Sequence, residues 1–181
     1  PLGRLPLAAP AEIDEAARLG RGGVNPAGAE SALEQFDRVA AEHPERIAVV
    51  GPDETLTFGE LADRAQRCAA AMGSATGEEL VAIVASASAA AVVGIVAAWR
   101  SGRAFVVIDP EYPADRVRYL LGDCGADRVL ATAVGAAAAE GQLPAGARLL
   151  RLDEISDAEA VTYGPVRPAP ESAAYVIYTS G

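Results

Sequence analysis

ELVAIVASASAAAVVGIVAAWRSGRAFVVID, residues 79–109, changes its pattern twice. After Glu79, the run to residue 85 is unbroken, apolar and rich in β-branched side chains. That predicts a strand over 79–85, covered on both faces. Ser86-Ala-Ser88 offers hydroxyls that cap a helix, and residues 88–101 then read as helix. Gly102 allows the sharp turn that follows. Residues 104–108 are again short, apolar and β-branched, a second buried strand. Two buried strands joined by a helix form a parallel pair with a right-handed crossover.

The alternation continues in both directions. Downstream, the pattern predicts a helix over 113–123, a strand over 128–131, a short helix over 134–140, a strand over 148–152 and a last buried strand over 173–178. Upstream, Ser31 and Glu34 form a capping box, and Leu33, Phe36, Val39 and Ala40 make the apolar face of a helix that ends before His43-Pro44. Strands over 47–50 and 55–58 flank the turn Gly51-Pro52-Asp53-Glu54 and predict a hairpin. A second capping box, Thr57 with Glu60, starts a helix reaching about Met72. The expected fold is α/β: an open, mostly parallel sheet with flanking helices, which binds ligands at the carboxyl ends of its strands.

Two segments stand apart. Residues 1–28 contain Pro1, Pro6, Pro10 and Pro26 with Gly20, Gly22, Gly23 and Gly28, the composition of an inter-domain linker, with one short helix over 11–19. Residues 153–170 carry Asp153, Glu154, Asp157 and Glu159 with three prolines, and read as a surface loop.

Composition narrows the function. The net charge of −10 and a pI near 4.6 oppose nucleic-acid binding. Residues 80–99 lack charge, but they are mostly alanine with Ser86, Ser88 and Gly94 inside, and they divide into strand and helix; no membrane span is expected. Residues 1–7 are broken by proline and do not read as the apolar region of a signal peptide. The expected location is cytoplasmic. Cys68 and Cys124 have no metal-ligand spacing and read as small buried hydrophobes. With His43 alone, neither a zinc site nor a Ser-His-Asp triad is expected.

The last nine residues, Ala173-Ala-Tyr-Val-Ile-Tyr-Thr-Ser-Gly181, pass from a strand into Thr179, Ser180 and Gly181. Hydroxyls and a glycine at a strand end are how a phosphate-cradling loop begins, because glycine admits the anion to the backbone and the N–H and O–H groups donate to it. The lysine such a loop uses is absent, since all 15 basic residues are arginine.

Three segments together resemble the adenylation domains of nonribosomal peptide synthetases, members of the adenylate-forming superfamily. Leu56-Thr-Phe-Gly-Glu-Leu61 resembles the first core motif, Leu-Thr-Tyr-x-Glu-Leu. Trp99-Arg-Ser-Gly-Arg-Ala-Phe-Val-Val-Ile-Asp109 resembles the second, and continues through Pro110-Glu-Tyr-Pro113, Arg116, Asp123 and Ala126 at the family's spacing. Residues 173–181 resemble the start of the third. Residues 1–19 look like the linker that follows a condensation domain. The resemblance implies that residues 29–181 are the first part of the adenylation core, ending at the start of the phosphate loop. It implies ATP binding at Thr179, Ser180 and Gly181, no catalytic residue within these 181 residues, and Mg²⁺ held by residues beyond Gly181. These residues alone are then expected to be inactive. Expected partners are an upstream condensation-type domain, a downstream carrier domain bearing phosphopantetheine, an amino-acid substrate and a small MbtH-like protein.

The chain departs from the family pattern in places. Val107 replaces a proline, Ser86-Ala-Ser-Ala-Ala90 replaces a charged Asp-Arg-Ser-x-Glu, Arg100-Ser101 replaces Lys-Ala, and Gly73-Ser-Ala-Thr-Gly77 lacks a leucine-glycine connector. Two alternatives stay open: a degenerate, non-catalytic adenylation domain kept as a scaffold, and an acyl or aryl-acid CoA ligase of the same superfamily.

Overall fold

The computed structural model describes residues 9–20, 30–155, 166, 169 and 171–179. The chain divides into two units, Pro1–Glu30 and Ser31–Gly181. In the first, α1 spans Pro10–Gly20, one residue wider at each end than expected. Pro10 suits a first helical turn because its missing N–H is not needed there. Glu12 reaches back to accept from the Ala9 N–H at 2.7 Å.

The second unit begins with α2 (Ala32–Glu42), whose capping box between Ser31 and Glu34 is formed in both directions. The hairpin follows as β1 (Ile47–Val50) and β2 (Thr55–Thr57), antiparallel with a register shift between Ile47 and Val49. β2 ends one residue earlier than expected. Thr57 is committed as the N-cap of α3 (Phe58–Met72), with Glu60 completing the second capping box, so Phe58 is already helical.

Five parallel strands then form the main sheet in the order β6-β5-β3-β4-β7. These are β3 (Leu80–Val84), β4 (Ala104–Ile108), β5 (Arg128–Ala131), β6 (Arg148–Arg151) and β7 (Tyr175–Val176). The helices between them are α4 (Ala89–Arg100), α5 (Ala114–Asp123) and α6 (Ala133–Ala139). Pro113 stands at the N-cap of α5, one place before the helical position expected for it.

β3 is the centre of the sheet. Val81 and Ile83 face a core shared with Leu61, Ala65, Cys68, Ala97 and Ala98 of α3 and α4. Ala82 and Val84 face the other core, with Val117, Leu120 and Leu121 of α5 and Ala139 of α6. Covering both faces is what makes this strand a continuous apolar run. Each fully buried branched side chain of this kind contributes about 1.5–3 kcal/mol.

The last strand differs from expectation. Of residues 173–178 only Tyr175 and Val176 pair regularly, with Phe105 and Val106 of β4. Tyr175 is 55% exposed and Ile177 68% exposed, so among the described residues this strand lies at an edge where a buried one was expected. Among the described residues its outer side has no neighbouring strand, so its ladder is with β4. The loop expected over 153–170 lies mostly outside the described residues. The uncharged stretch 80–99 divides into β3 and α4, and no helix among the described residues is long and apolar enough to cross a membrane.

Candidate functional site

Strand order fixes where a ligand can sit. The chain leaves β3 for α4 on one face and leaves β5 for α6 on the other, so the switch point of the sheet lies between the carboxyl ends of β3 and β5. The first turn of α6 packs closely against β3 there. Thr132 caps that helix by accepting from the Gly135 N–H at 3.2 Å, and its own N–H donates to Val84 at 3.4 Å. Gly135 is pressed against β3 so closely that a β-carbon there would stand 1.8 Å from the Val84 carbonyl oxygen.

The carboxyl edge made by β4 and β7 is arranged differently. Asp109, directly after β4, accepts from the Glu111 N–H at 2.9 Å, so it braces the turn into α5 as an Asx turn does. Thr179 lies exposed beyond β7 on the same edge. It is the one expected phosphate-binding residue that is described; Ser180 and Gly181 lie outside the described residues. An exposed hydroxyl at the carboxyl end of a parallel strand fits a phosphate donor.

Several contacts around β7 were not visible in the sequence. The indole Nε1 of Trp99 donates to the Ala174 carbonyl at 3.1 Å. Phe105 packs between Trp99 and Tyr175 in tilted ring contacts, with centroids 5.8 Å and 6.0 Å away. The Tyr178 hydroxyl donates to Asp123 Oδ2 at 2.7 Å. Burial pushes the Tyr178 phenol above its ordinary range, and the bond to Asp123 pushes it the same way. Only Asp123's place in the extended second motif hinted at its use.

A cleft of about 740 Å³ lies beside the residues that follow β3, β5 and β6, lined by Asp53, Glu60, Arg64, Cys68, Thr132 and Asp153 among others, without Thr179. Its two arginines are taken: Arg64 pairs with Glu54 at 2.6 Å and Arg67 with Asp63 at 2.8 Å. Burial pushes the Cys68 thiol up to about 12, which makes it a packing group and not a nucleophile. Among the described residues no cluster of three or more His, Cys, Asp or Glu side chains is placed to hold a metal ion.

The departures from the family pattern are absorbed by the fold. Asp53 of the hairpin turn bonds the N–H groups of Ala89 and Ala90, so α4 is capped without the charged stretch. Arg100 pairs with Asp37 of α2 and lies over Phe36. Arg103, with 2% of its side chain exposed, holds the altered connector by donating to the Gly73 carbonyl at 2.5 Å and to Glu79 at 2.6 Å. Val107 is 45% exposed, so the missing proline costs the core nothing.

The family model described as AMP-binding enzyme matches residues 36–181. N-(5-amino-5-carboxypentanoyl)-L-cysteinyl-D-valine synthase from Amycolatopsis lactamdurans is 37% identical over 175 residues, which is 94% of this chain and 5% of that protein. The crystal structure of the nonribosomal peptide synthetase FmoA3 superposes with a TM-score of 0.77 at 32% identity, covering 87% of this chain and 17% of that one. Its AMPPNP-bound form gives a TM-score of 0.76 at 29% identity, covering 92% and 18%. The chain thus spans a small part of the length of the proteins it matches.

Proposed function

Because the chain belongs to the AMP-binding enzyme family, we propose that it is the first part of an amino-acid-activating adenylation domain in a nonribosomal peptide synthetase. The observation that carries this reading is the parallel edge strand β7, laid beside β4 and running out into Thr179 at the ligand-binding end of the sheet. Under it, residues 1–28 are the linker from a condensation-type domain, residues 29–181 begin the core, and the protein is cytoplasmic.

The proposed reaction has two steps. An oxygen of the amino-acid carboxylate attacks the α-phosphorus of ATP, the bond to the β-phosphate oxygen breaks, and pyrophosphate leaves with the electron pair. The phosphopantetheine thiol of a carrier domain then loses its proton and attacks the acyl carbon, and AMP leaves. Negative charge grows on the phosphate oxygens in the first step, so hydroxyl and N–H donors there lower the barrier. Thr179 supplies one such hydroxyl, and Ser180 and Gly181 extend the set. Mg²⁺ would neutralise the remaining phosphate charge from ligands beyond residue 181. A small MbtH-like protein is the further partner this reading includes.

The acceptor distinguishes this reading from a CoA ligase. Full-length protein incubated with ATP and a labelled amino acid retains label as a thioester on its carrier domain and forms no aminoacyl-CoA. Transfer to CoA in preference to a carrier domain contradicts it. Absence of ATP binding supports the scaffold reading instead.

A further inference from the structure

Among the described residues, Thr179 lies beyond the regular strand pairing. The regular ladder between β4 and β7 ends at Val176, three residues before it. Side-chain bonds reinforce the chain on both sides of that short ladder. Before it, the Ala174 carbonyl accepts from the Trp99 indole at 3.1 Å and from the Phe105 N–H at 3.4 Å. After it, one residue short of Thr179, the Tyr178 hydroxyl donates to Asp123 at 2.7 Å.

Asp123 is itself well fixed. It is the last residue of α5, anchored by fully buried Val117, Leu120 and Leu121, and α5 begins just after the Asp109 turn that leaves β4. The aspartate therefore ties the residue before Thr179 to the buried body of α5. A carboxylate accepting from a phenol makes a short, charge-assisted bond, stronger than one between neutral groups.

We propose that Asp123 and Tyr178 are a positioning pair that sets the place of Thr179, and through it the phosphate contacts, in the adenylation reaction. The inference rests on the function proposed above. Neither residue touches the reacting atoms; Tyr178 acts through the backbone of Thr179, and Asp123 acts through Tyr178. Misplacing a phosphate donor by a fraction of its hydrogen-bond length weakens ATP and leaves the amino-acid pocket untouched.

The test is amino-acid-dependent exchange of pyrophosphate into ATP by the full-length protein, comparing KM for ATP, KM for the amino acid, and kcat. Tyr178→Phe and Asp123→Ala each raise KM for ATP by about fivefold to tenfold, roughly what one lost charge-assisted bond gives, while KM for the amino acid stays within about twofold. The double variant is no worse than either single one, because both remove the same bond. Asp123→Asn, whose side-chain carbonyl still accepts from a hydroxyl, recovers most of the loss. Unmoved ATP constants in Tyr178→Phe, equal rises in both KM values, or effects that multiply in the double variant overturn the proposal. If the unaltered protein exchanges pyrophosphate with no amino acid, the function proposed above fails and this pair's role fails with it. Exchange by the unaltered protein with unmoved variants sinks only the pair.

Discussion

The Asp53 carboxylate caps α4 from the turn of the hairpin, accepting from the Ala89 N–H at 2.9 Å and the Ala90 N–H at 3.3 Å. Ser88, the N-cap, accepts from the Ala91 N–H at 3.1 Å. Three N–H groups that the helix itself leaves unpaired therefore end on oxygen, and the negative charge suits the helix N-terminus. Gly51 makes the approach possible: a β-carbon there would stand 2.4 Å from Asp53 Oδ1 and 2.8 Å from the Ala89 nitrogen. This contact ties the two-stranded hairpin to the helix that covers the parallel sheet.

Asp53→Ala lowers stability by about 1 kcal/mol at neutral pH, the ordinary worth of a lost cap. The loss depends on pH. Burial raises the Asp53 carboxyl, but hydrogen bonds from Ala89, from its own N–H, and from Ala90 and Glu54 together outweigh it and hold the group below its ordinary value. A lowered carboxylate contributes stability above its unfolded pKa of about 3.9 and loses it as pH falls through the folded value. Denaturant curves of both proteins therefore diverge at pH 7 and draw together below about pH 4. A gap of constant size across that range contradicts the assignment.

Gly135→Ala costs more. The added methyl meets the Val84 carbonyl oxygen, a backbone atom of the central strand that cannot swing aside. The start of α6 has to move off β3, at a cost of roughly 2–4 kcal/mol. Thermal unfolding reads this directly, and a variant within about 0.5 kcal/mol of the parent refutes the close approach.

Much of the fold was legible because its signals are local. β4 and β5 have the limits that period and β-branching indicate, and both capping boxes form as Ser31-x-x-Glu34 and Thr57-x-x-Glu60 promise. The last strand differs: among the described residues it is not covered as expected. Alternating Tyr175, Val176, Ile177 and Tyr178 look like core, yet whether such residues are covered depends on a neighbour on the far side of the strand, which local sequence does not specify. At the candidate site, Thr179 stands where a hydroxyl after a strand was expected. The bond from Tyr178 to Asp123 was hidden because its partners are 55 residues apart and only the fold joins them.

Arg103→Ala destabilises through the connector between α3 and β3. It strips the Gly73 carbonyl of a donor at 2.5 Å and Glu79 of its ion pair. Glu79 is partly exposed and keeps its bonds from Thr76, so water offsets part of the loss and the cost stays near 1–3 kcal/mol. Hydrogen exchange read peptide by peptide shows the loss of protection centred on residues 73–79. Unchanged exchange there contradicts the arginine's role in holding that segment.

Cys68 stays unmodified in the native protein. Its thiol is buried in the core beneath α3 and α4 and pushed up to about 12, so almost no thiolate forms at pH 8. Brief alkylation followed by mass spectrometry finds Cys68 labelled only after denaturation. Labelling under native conditions means that this core opens far more readily than its packing indicates.

The central claim is that this chain begins an amino-acid adenylation site, and pyrophosphate exchange by the full-length protein across a panel of amino acids tests it most directly. The account predicts exchange into ATP with one preferred amino acid, falling at least about tenfold in Thr179→Val, which keeps the shape and removes the hydroxyl. Folded protein that exchanges pyrophosphate with none of them contradicts it.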